Sequence, residues 1–470
     1  MTNNKPFSDT YKYYALAVLL LGYVINFVDR QILAVLLEPI RDEMMFNDFQ
    51  LGLLGGLAFA MFYATLGIPI AMLADRKSRV KILAAAMVVW SVMTALCGLA
   101  GSFISLLLAR IGVGVGEAGA SPPSHSLISD YFPISARATA LSIYSLGIPI
   151  GSFIGTAVGG WGADNLGWRA TFFLVGIPGL AVALLVFLTL REPPRGMSDA
   201  PPEATPDEPQ ADPEAESAQT SAEAPAEVST VASADTTKPM HWTEVFKFLW
   251  NKRSFRHLSI AAGLHAFVSY GASNWNPSFL SRVHEMTLTE IGYWLGIVYF
   301  VGAIGTFLGG FLGDQLADKT GEKRWYFWIP AISLIAMVPL QLWAYLSSDA
   351  MIAIYVLFPI SILSGMYLGP SFAMTQGLVT LRMRAVAAAI LLFVLNLIGM
   401  GLGPTLVGVI SDLLMPTTGE SSIRYALCIA VALNAWSALH FILGARTLSS
   451  DLADTETLNK ELALQAAKAA

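Results

Sequence analysis

The chain has 470 residues, of which 55% are hydrophobic and 13% charged, and its formal net charge is -6. A composition this apolar excludes an ordinary soluble globule and predicts a polytopic membrane protein.

Apolar runs bounded by charges, Gly/Pro or polar clusters predict helices over residues 12–39, 50–74, 81–100, 103–130, 137–162 and 168–190. A second set is expected over 256–281, 289–316, 325–346, 350–379, 384–411 and 423–446. Tyr14 to Leu37 holds only two charges in a run longer than the roughly 20 residues that cross a bilayer. The expected fold class is therefore an all-α membrane protein of twelve transmembrane helices. Its expected parts are an N-terminal six-helix bundle (1–190), a linker (191–255), a C-terminal six-helix bundle (256–447) and a tail (448–470).

The linker differs in composition. Asp199 to Asp235 has no Lys, Arg or aromatic residue and is dominated by Ala, Pro, Glu, Asp, Ser and Thr, a composition that predicts disorder. It holds ten acidic residues, and without them the formal charge would move from -6 to +4, so the acidic balance says nothing about partners. The tail beyond Asp451 has helix-forming composition and mixed charge, which predicts a surface helix.

Orientation follows from Lys and Arg in the short loops. One side carries Arg76, Lys77, Arg79, Lys81, Arg137, Lys319, Lys323, Arg324, Arg382 and Arg384; the other carries only Arg41, Arg169, Arg282 and Arg424. Both termini and the linker are expected in the cytoplasm. No cleavable signal is evident, because the polar start runs straight into a full-length span.

Cys97 and Cys428 fall in apolar runs of opposite halves and read as buried small hydrophobes. No His/Cys/carboxylate cluster has zinc spacing and no nucleophile motif stands in a plausible setting, so no cofactor, metal or enzymatic activity is expected. Gly114, Gly116 and Gly119 fit G-x-G-x-x-G, but no strand precedes them; inside a membrane helix, such small residues instead let helices approach closely.

The informative residues are charges inside apolar helices: Asp29 and Arg30 in the first, Arg110 and Glu117 in the fourth. Each charge costs ~2.5–3.5 kcal/mol to insert, and apolar side chains could pack the same helices, which favours function over a pair of structural ion bridges. Arg110 and Glu117 are seven residues apart, about 700° of turn, so they project from nearly one face. Asn26 and Arg30 are one turn apart, with Asp29 flanking them. If the two faces meet, two acids and two guanidinium groups share one water-accessible chamber of near-zero net charge. Asp29 and Glu117 would then be the proton-sensitive carboxylates. Their protonation would free Arg30, with Arg110, for an anionic phosphate or carboxylate.

The second half has few ionisable groups in its helices. It offers His265, Tyr270, Asn274, Tyr299, Tyr367, Thr375 and Asn396 among many Phe, Met, Leu and Ile. Tyr270, Asn274, Tyr367 and Asn396, with Asn26 and His125 of the first half, join the arginines as candidate substrate contacts. A cavity charged on one wall and mainly apolar on the other would suit an amphiphile.

The halves echo each other weakly. Ala74-Asp75-Arg76 follows the second helix and Gly313-Asp314-Gln315 ends the eighth, each placing an Asp near basic loops. With this repeat, Asp75-Arg76-Lys77-Ser78-Arg79 resembles the loop signature of the major facilitator superfamily, although Ala71 and Ser78 replace its usual glycines. Arg110 to Gly116 resembles that family's fourth-helix signature, Arg-x-x-x-Gly-x-Gly. The resemblance implies two pseudo-symmetric bundles rocking about a central cavity. Asp75, Arg76, Arg79, Arg137 and Asp314 would latch the cytoplasmic side.

A narrower resemblance is to the Spinster branch of sphingolipid and lysophospholipid transporters. It rests on Asn26-Phe27-Val28-Asp29-Arg30, Gly114-Val115-Gly116-Glu117-Ala118, Asp130-Tyr131-Phe132-Pro133 and Gly167-Trp168-Arg169. It implies a bacterial inner-membrane protein, acting as a monomer, that moves a lipid or lysolipid with protons and has no nucleic-acid partner. A proton-coupled carrier of a small organic anion or drug would use the same charges. A membrane sensor that keeps the fold without transport would bind ligand without flux and dispense with Asp75 and Asp314.

Overall fold

The computed structural model describes residues 7–198 and 242–469, so the acidic segment Asp199 to Asp235, expected to be disordered, lies outside the described residues. Among the described residues every regular element is helical. The first half comprises α1 (Asp9–Met44), α2 (Asp48–Gly55), α3 (Leu57–Ala74), α4 (Arg79–Cys97), α5 (Phe103–Glu117), α6 (Ser121–Tyr131), α7 (Ile134–Ser145), α8 (Gly147–Leu166) and α9 (Trp168–Thr189). The second comprises α10 (Trp242–Asn251), α11 (Arg253–His284), α12 (Leu288–Thr320), α13 (Trp325–Leu346), α14 (Ala350–Gly365), α15 (Leu368–Gly377), α16 (Arg384–Val394), a π-helical turn (Leu395–Leu402), α17 (Gly403–Thr418) and α18 (Ser422–Ala469).

Among the described residues, ten helical runs are long and apolar enough to cross a membrane. The last of them, Arg384–Gln465, contains two of the expected spans. Arg253–His284 is missing from the ten because its polar residues lower its hydropathy, yet its 32 residues reach about 48 Å at 1.5 Å each. Twelve spans result, five of them broken: α2/α3, α5/α6, α7/α8, α14/α15 and α16/α17. From the sequence each of these is expected as one helix. The fourth breaks where Pro122 and Pro123 start a new helix at Ser121, because proline is favoured in a first turn and disfavoured inside a helix.

Within the first half α1 packs on α8 and α9, and α4 on α5 and α9; within the second, α11 and α13 pack on α18, and α14 on α12 and α13. The halves meet along α8 with α12 and along α2 with α17, so the second and fifth spans of one bundle face the fifth and second of the other. At the first seam the backbones nearly touch: a Cβ on Gly160 would overlap the Leu288 carbonyl, and one on Gly292 the Thr156 carbonyl.

Two pieces outside the membrane spans are helical. α10 falls within the stretch read as linker; Val245 and Leu249 are buried and it packs on α11 and α16. The tail continues α18 without a break and is tied back, with Asp451 Oδ2 accepting from the Ser254 N–H and hydroxyl at 2.8 and 2.7 Å.

Candidate functional site

At mid-span, α1 and α5 bring their charges together. Arg30 Nε donates to Glu117 Oε2 at 2.6 Å, and Glu117 is 1% exposed. The Arg30 guanidinium also lies over the Tyr63 ring at 4.5 Å and near the Phe27 and Phe59 rings at 5.0 and 5.3 Å, while Arg110 lies near Phe59 at 5.4 Å. These ring faces lower the cost of holding a cation out of bulk water. Arg30 and Arg110 both line the central cavity.

Asp29 points the other way from its neighbour. It is fully buried, has Thr94 beside it, and neither carboxylate oxygen has a hydrogen-bond partner of ordinary length among the described residues. Asn26 is buried beside Glu117, also without such a bond. The second Glu117 oxygen and two Arg110 nitrogens are likewise unclaimed. Glu117 ends α5, so the helix break at residues 118–120 sits beside the ion pair. The glycines that imitated a nucleotide loop serve helix contact: a Cβ on Gly116 would run into the Trp90 backbone of α4.

The cavity has a volume of about 360 Å³ and both halves line it. Tyr270, Asn274 and Tyr367 are on its wall. Asn26, His125 and Asn396 are not: His125 packs edge-on against Tyr144 with ring centroids 5.5 Å apart, and Asn396 lies in the π-helical turn. The wall of the second half is rich in aromatic and aliphatic groups, and polar side chains are interspersed among them. Ser269, Ser273, Asn276, Gln341, Ser361 and Ser364 line it, along with the aromatic and aliphatic groups. These side chains are small or singly spaced along apolar helices, so no local pattern announces them; only the convergence of α11, α13 and α14 does.

Among the described residues, the hydrogen bonds of Arg79, Arg137 and Asp314 stay within the first half and its following segment or within the second half. Arg79 is buried; it donates to Asp130, to Glu192 Oε1 at 2.7 Å and to the Pro193 carbonyl at 2.7 Å. Arg137 donates to the Ser129 carbonyl at 2.8 Å, and Asp314 accepts from the Tyr326 hydroxyl at 2.6 Å. Asp75 and Arg76 are exposed at the end of α3.

On the side away from the basic loops, a lattice that sequence reasoning missed joins the halves. Arg282 of α11 donates to both Asp48 oxygens at 2.8 Å and to Glu38 Oε2 at 2.7 Å, and Arg41 grips Glu420 with two bonds of 2.8 and 3.0 Å. Asp412 of α17 accepts the Asp48 and Phe49 N–H groups at the first turn of α2, at 2.9 and 2.8 Å. A carboxylate there meets the positive end of that helix. Thr289 and Asp164 add a further pair of bonds. Every inter-half hydrogen bond among the described residues lies in this half of the membrane thickness. The cavity is therefore closed on that side, with no such bonds on the basic side. Arg41 and Arg282 read as scattered loop cations; Arg41 has Glu38 one turn before it, but Glu420 and Asp48, the acids the two arginines grip, come near them only in the folded molecule.

Residues 19–404 match the Major Facilitator Superfamily, and the chain belongs to it. It is an integral membrane transporter of that fold. Within the superfamily its likeness is to the Spinster proteins. A bacterial homolog of the human lysosomal transporter Spinster, solved in an inward-facing, unoccupied conformation, superposes with a TM-score of 0.80 at 31% identity, covering 95% of this chain and 99% of that one. An MFS-type efflux pump of Mycolicibacterium smegmatis is 31% identical over 422 residues, 89% of each chain. Protein spinster homolog 3 of Danio rerio is 28% identical over 482 residues, 96% of this chain and 88% of its own.

Proposed function

We propose that the chain is a proton-coupled secondary transporter of an anionic amphiphile, of the lysophospholipid or sphingolipid type, working by alternating access. The observation that carries this reading is the 2.6 Å ion pair between Arg30 and Glu117 at the wall of the cavity. An arginine held by an ionised glutamate is occupied. Protonation of Glu117 removes its partner and offers the guanidinium fork to a phosphate or carboxylate, while Arg110 adds a second positive charge nearby. Asp29, buried behind the pair, is the second proton carrier. Proton and anion thus compete for one site, and that competition couples their fluxes.

In this reading the basic side faces the cytoplasm, in a bacterial inner membrane, with both termini and the 191–255 linker on that side. The far-side lattice around Arg282 is the closed gate of the inward-facing state. Asp75, Arg76, Arg79, Arg137 and Asp314 form the latch of the opposite state, in which the basic side closes. One copy of the chain suffices, since the cavity is built within it. The Spinster likeness supports a lipid.

A second reading, a small organic anion, is favoured by one observation: the serine, asparagine and glutamine side chains on the second-half wall of a cavity of about 360 Å³. Uptake into vesicles reconstituted with the purified chain, under an imposed pH gradient, distinguishes the two. Lysophosphatidic acid, sphingosine phosphate and short carboxylates are the probes. Lipid flux that follows the gradient and is lost in Glu117→Gln supports the proposal; flux of short carboxylates alone supports the second reading, and flux indifferent to pH and to both carboxylates overturns the proton coupling.

A further inference from the structure

α10 is separated from the membrane-spanning α11 by a single residue, Lys252. The other end of α11 carries Arg282 in the far-side lattice, so α10 stands at the membrane boundary on the basic side. Its side chains divide into three sectors at about 100° of turn per residue. Val245 and Leu249 occupy the sector buried where α10 packs on α11 and α16. Trp242, Phe246 and Trp250 recur at every fourth position along the flank beside it. They are 60, 38 and 44% exposed, and the Phe246 and Trp250 rings stack with centroids 5.5 Å apart. Thr243, Lys247 and Asn251 follow the next line round, turned further from the buried sector.

A helix that packs on protein through one line of apolar side chains has no need of a second, aromatic one for that contact. Tryptophan and phenylalanine at a membrane boundary are at home in the headgroup layer, where the ring lies in an apolar medium and the indole N–H still meets polar groups. Charge separates the lipid surface from a second protein as the occupant. From Trp242 to Arg256 the chain has four cations, Lys247, Lys252, Arg253 and Arg256, against one acid, Glu244. Lys252 is engaged by the Asp451 carbonyl and by Asp454, whereas Lys247 and Arg253 are exposed and enter no hydrogen bond or ion pair among the described residues. An aromatic stripe bordered by exposed cations fits the upper acyl chains and phosphates of an anionic leaflet, where each Lys or Arg adds about fivefold in affinity.

We propose that α10 is a docking site for anionic phospholipid. Its aromatic stripe enters the headgroup and upper acyl region of the leaflet on the basic side, and Lys247 and Arg253 select the negatively charged lipid there. Through its contacts with α11 and α16 the helix fixes the second half to that leaflet. The site is separate from the central cavity and does not depend on what the cavity carries.

Tryptophan fluorescence of the full chain in phosphatidylcholine vesicles tests this. The signal is the difference between the parent protein and Trp242→Phe/Trp250→Phe, which isolates these two indoles while keeping aromatic rings in place. The quenchers are phosphatidylglycerol and phosphatidylcholine, each brominated on the upper acyl chain. Both should quench the difference signal, brominated phosphatidylglycerol at a mole fraction about fivefold lower or less. Lys247→Gln/Arg253→Gln should bring the two lipids to within about twofold of each other. The other tryptophans should be quenched as in the parent protein, which separates this result from a loss of fold. Equal quenching by the two lipids in the parent protein overturns the site, as does a preference that survives Lys247→Gln/Arg253→Gln. A difference signal quenched by aqueous acrylamide but not by brominated lipid places the stripe in solution, and one that neither reaches places it against protein, a second copy included; either result overturns the proposal.

Discussion

Arg282, in the last turn of α11, grips the carboxylate of Asp48, in the first turn of α2, through both terminal nitrogens at 2.8 Å, with both side chains almost fully withdrawn from solvent. The two residues belong to opposite halves of the molecule, so this fork holds shut the side away from the basic loops.

Removing one partner of such a pair leaves the other charge buried and unpaired, a loss of about 3–5 kcal/mol. Arg282→Ala leaves the buried Asp48 carboxylate with the Ser411 hydroxyl in place of a cation, while Glu38 keeps Arg41 at 3.6 Å, and should shift the population toward a far-side-open state. Spin-label distances between Asn165 and Thr417, one in each half, would lengthen and broaden relative to the parent protein. Unchanged distances would show that the helix seams alone keep this side closed.

The Arg30 and Glu117 pair makes a separate prediction. Glu117→Gln cannot exchange a proton, so transport should lose its dependence on an imposed pH gradient while anion binding at neutral pH strengthens. Arg30→Lys keeps the charge but loses the planar fork, and should lower anion affinity by about tenfold or more. Vesicle flux read beside equilibrium binding checks both; a Glu117→Gln protein that still follows the gradient would remove Glu117 from the coupling.

The glycine seam between α8 and α12 allows no side chain. Gly292→Val would force the helices apart where its Cβ meets the Thr156 carbonyl, so the far side could not close and transport should fall by about tenfold or more even though no cavity residue changes. Initial uptake rates, normalised to protein in the vesicles, test this. Near-normal uptake would show that the seam slides past the added side chain.

Glu192 follows α9, outside the membrane spans. Burial pushes its carboxyl up, but hydrogen bonds from Arg79, the Val80 N–H and the Ser78 hydroxyl outweigh that and hold it below its usual range. A folded value lower than the unfolded one means the contribution is present above the unfolded value, about 4.3, and is lost as pH falls through the folded one. The melting temperature should drop on acidification through this range. Glu192→Gln should start lower at neutral pH and fall less steeply; parallel curves for the two proteins would contradict the assignment.

Much of the architecture was legible in the chain itself. Apolar length and loop charge are local properties, so twelve spans in two sets followed from the one-dimensional pattern, as did the rarity of Asp29, Arg30, Arg110 and Glu117 within it. Helical period placed Arg110 and Glu117 on one face, because 3.6 residues per turn needs no tertiary information. What needed the folded molecule was everything set by distance between segments remote in sequence. Arg30 and Glu117 are 87 residues apart, and Asp48 and Arg282 are 234 apart; no period links them, and only packing decides which acid meets which guanidinium. The second-half wall was hidden for the same reason. Isolated serines and a glutamine in apolar helices read as packing groups until α11, α13 and α14 turn them toward one space.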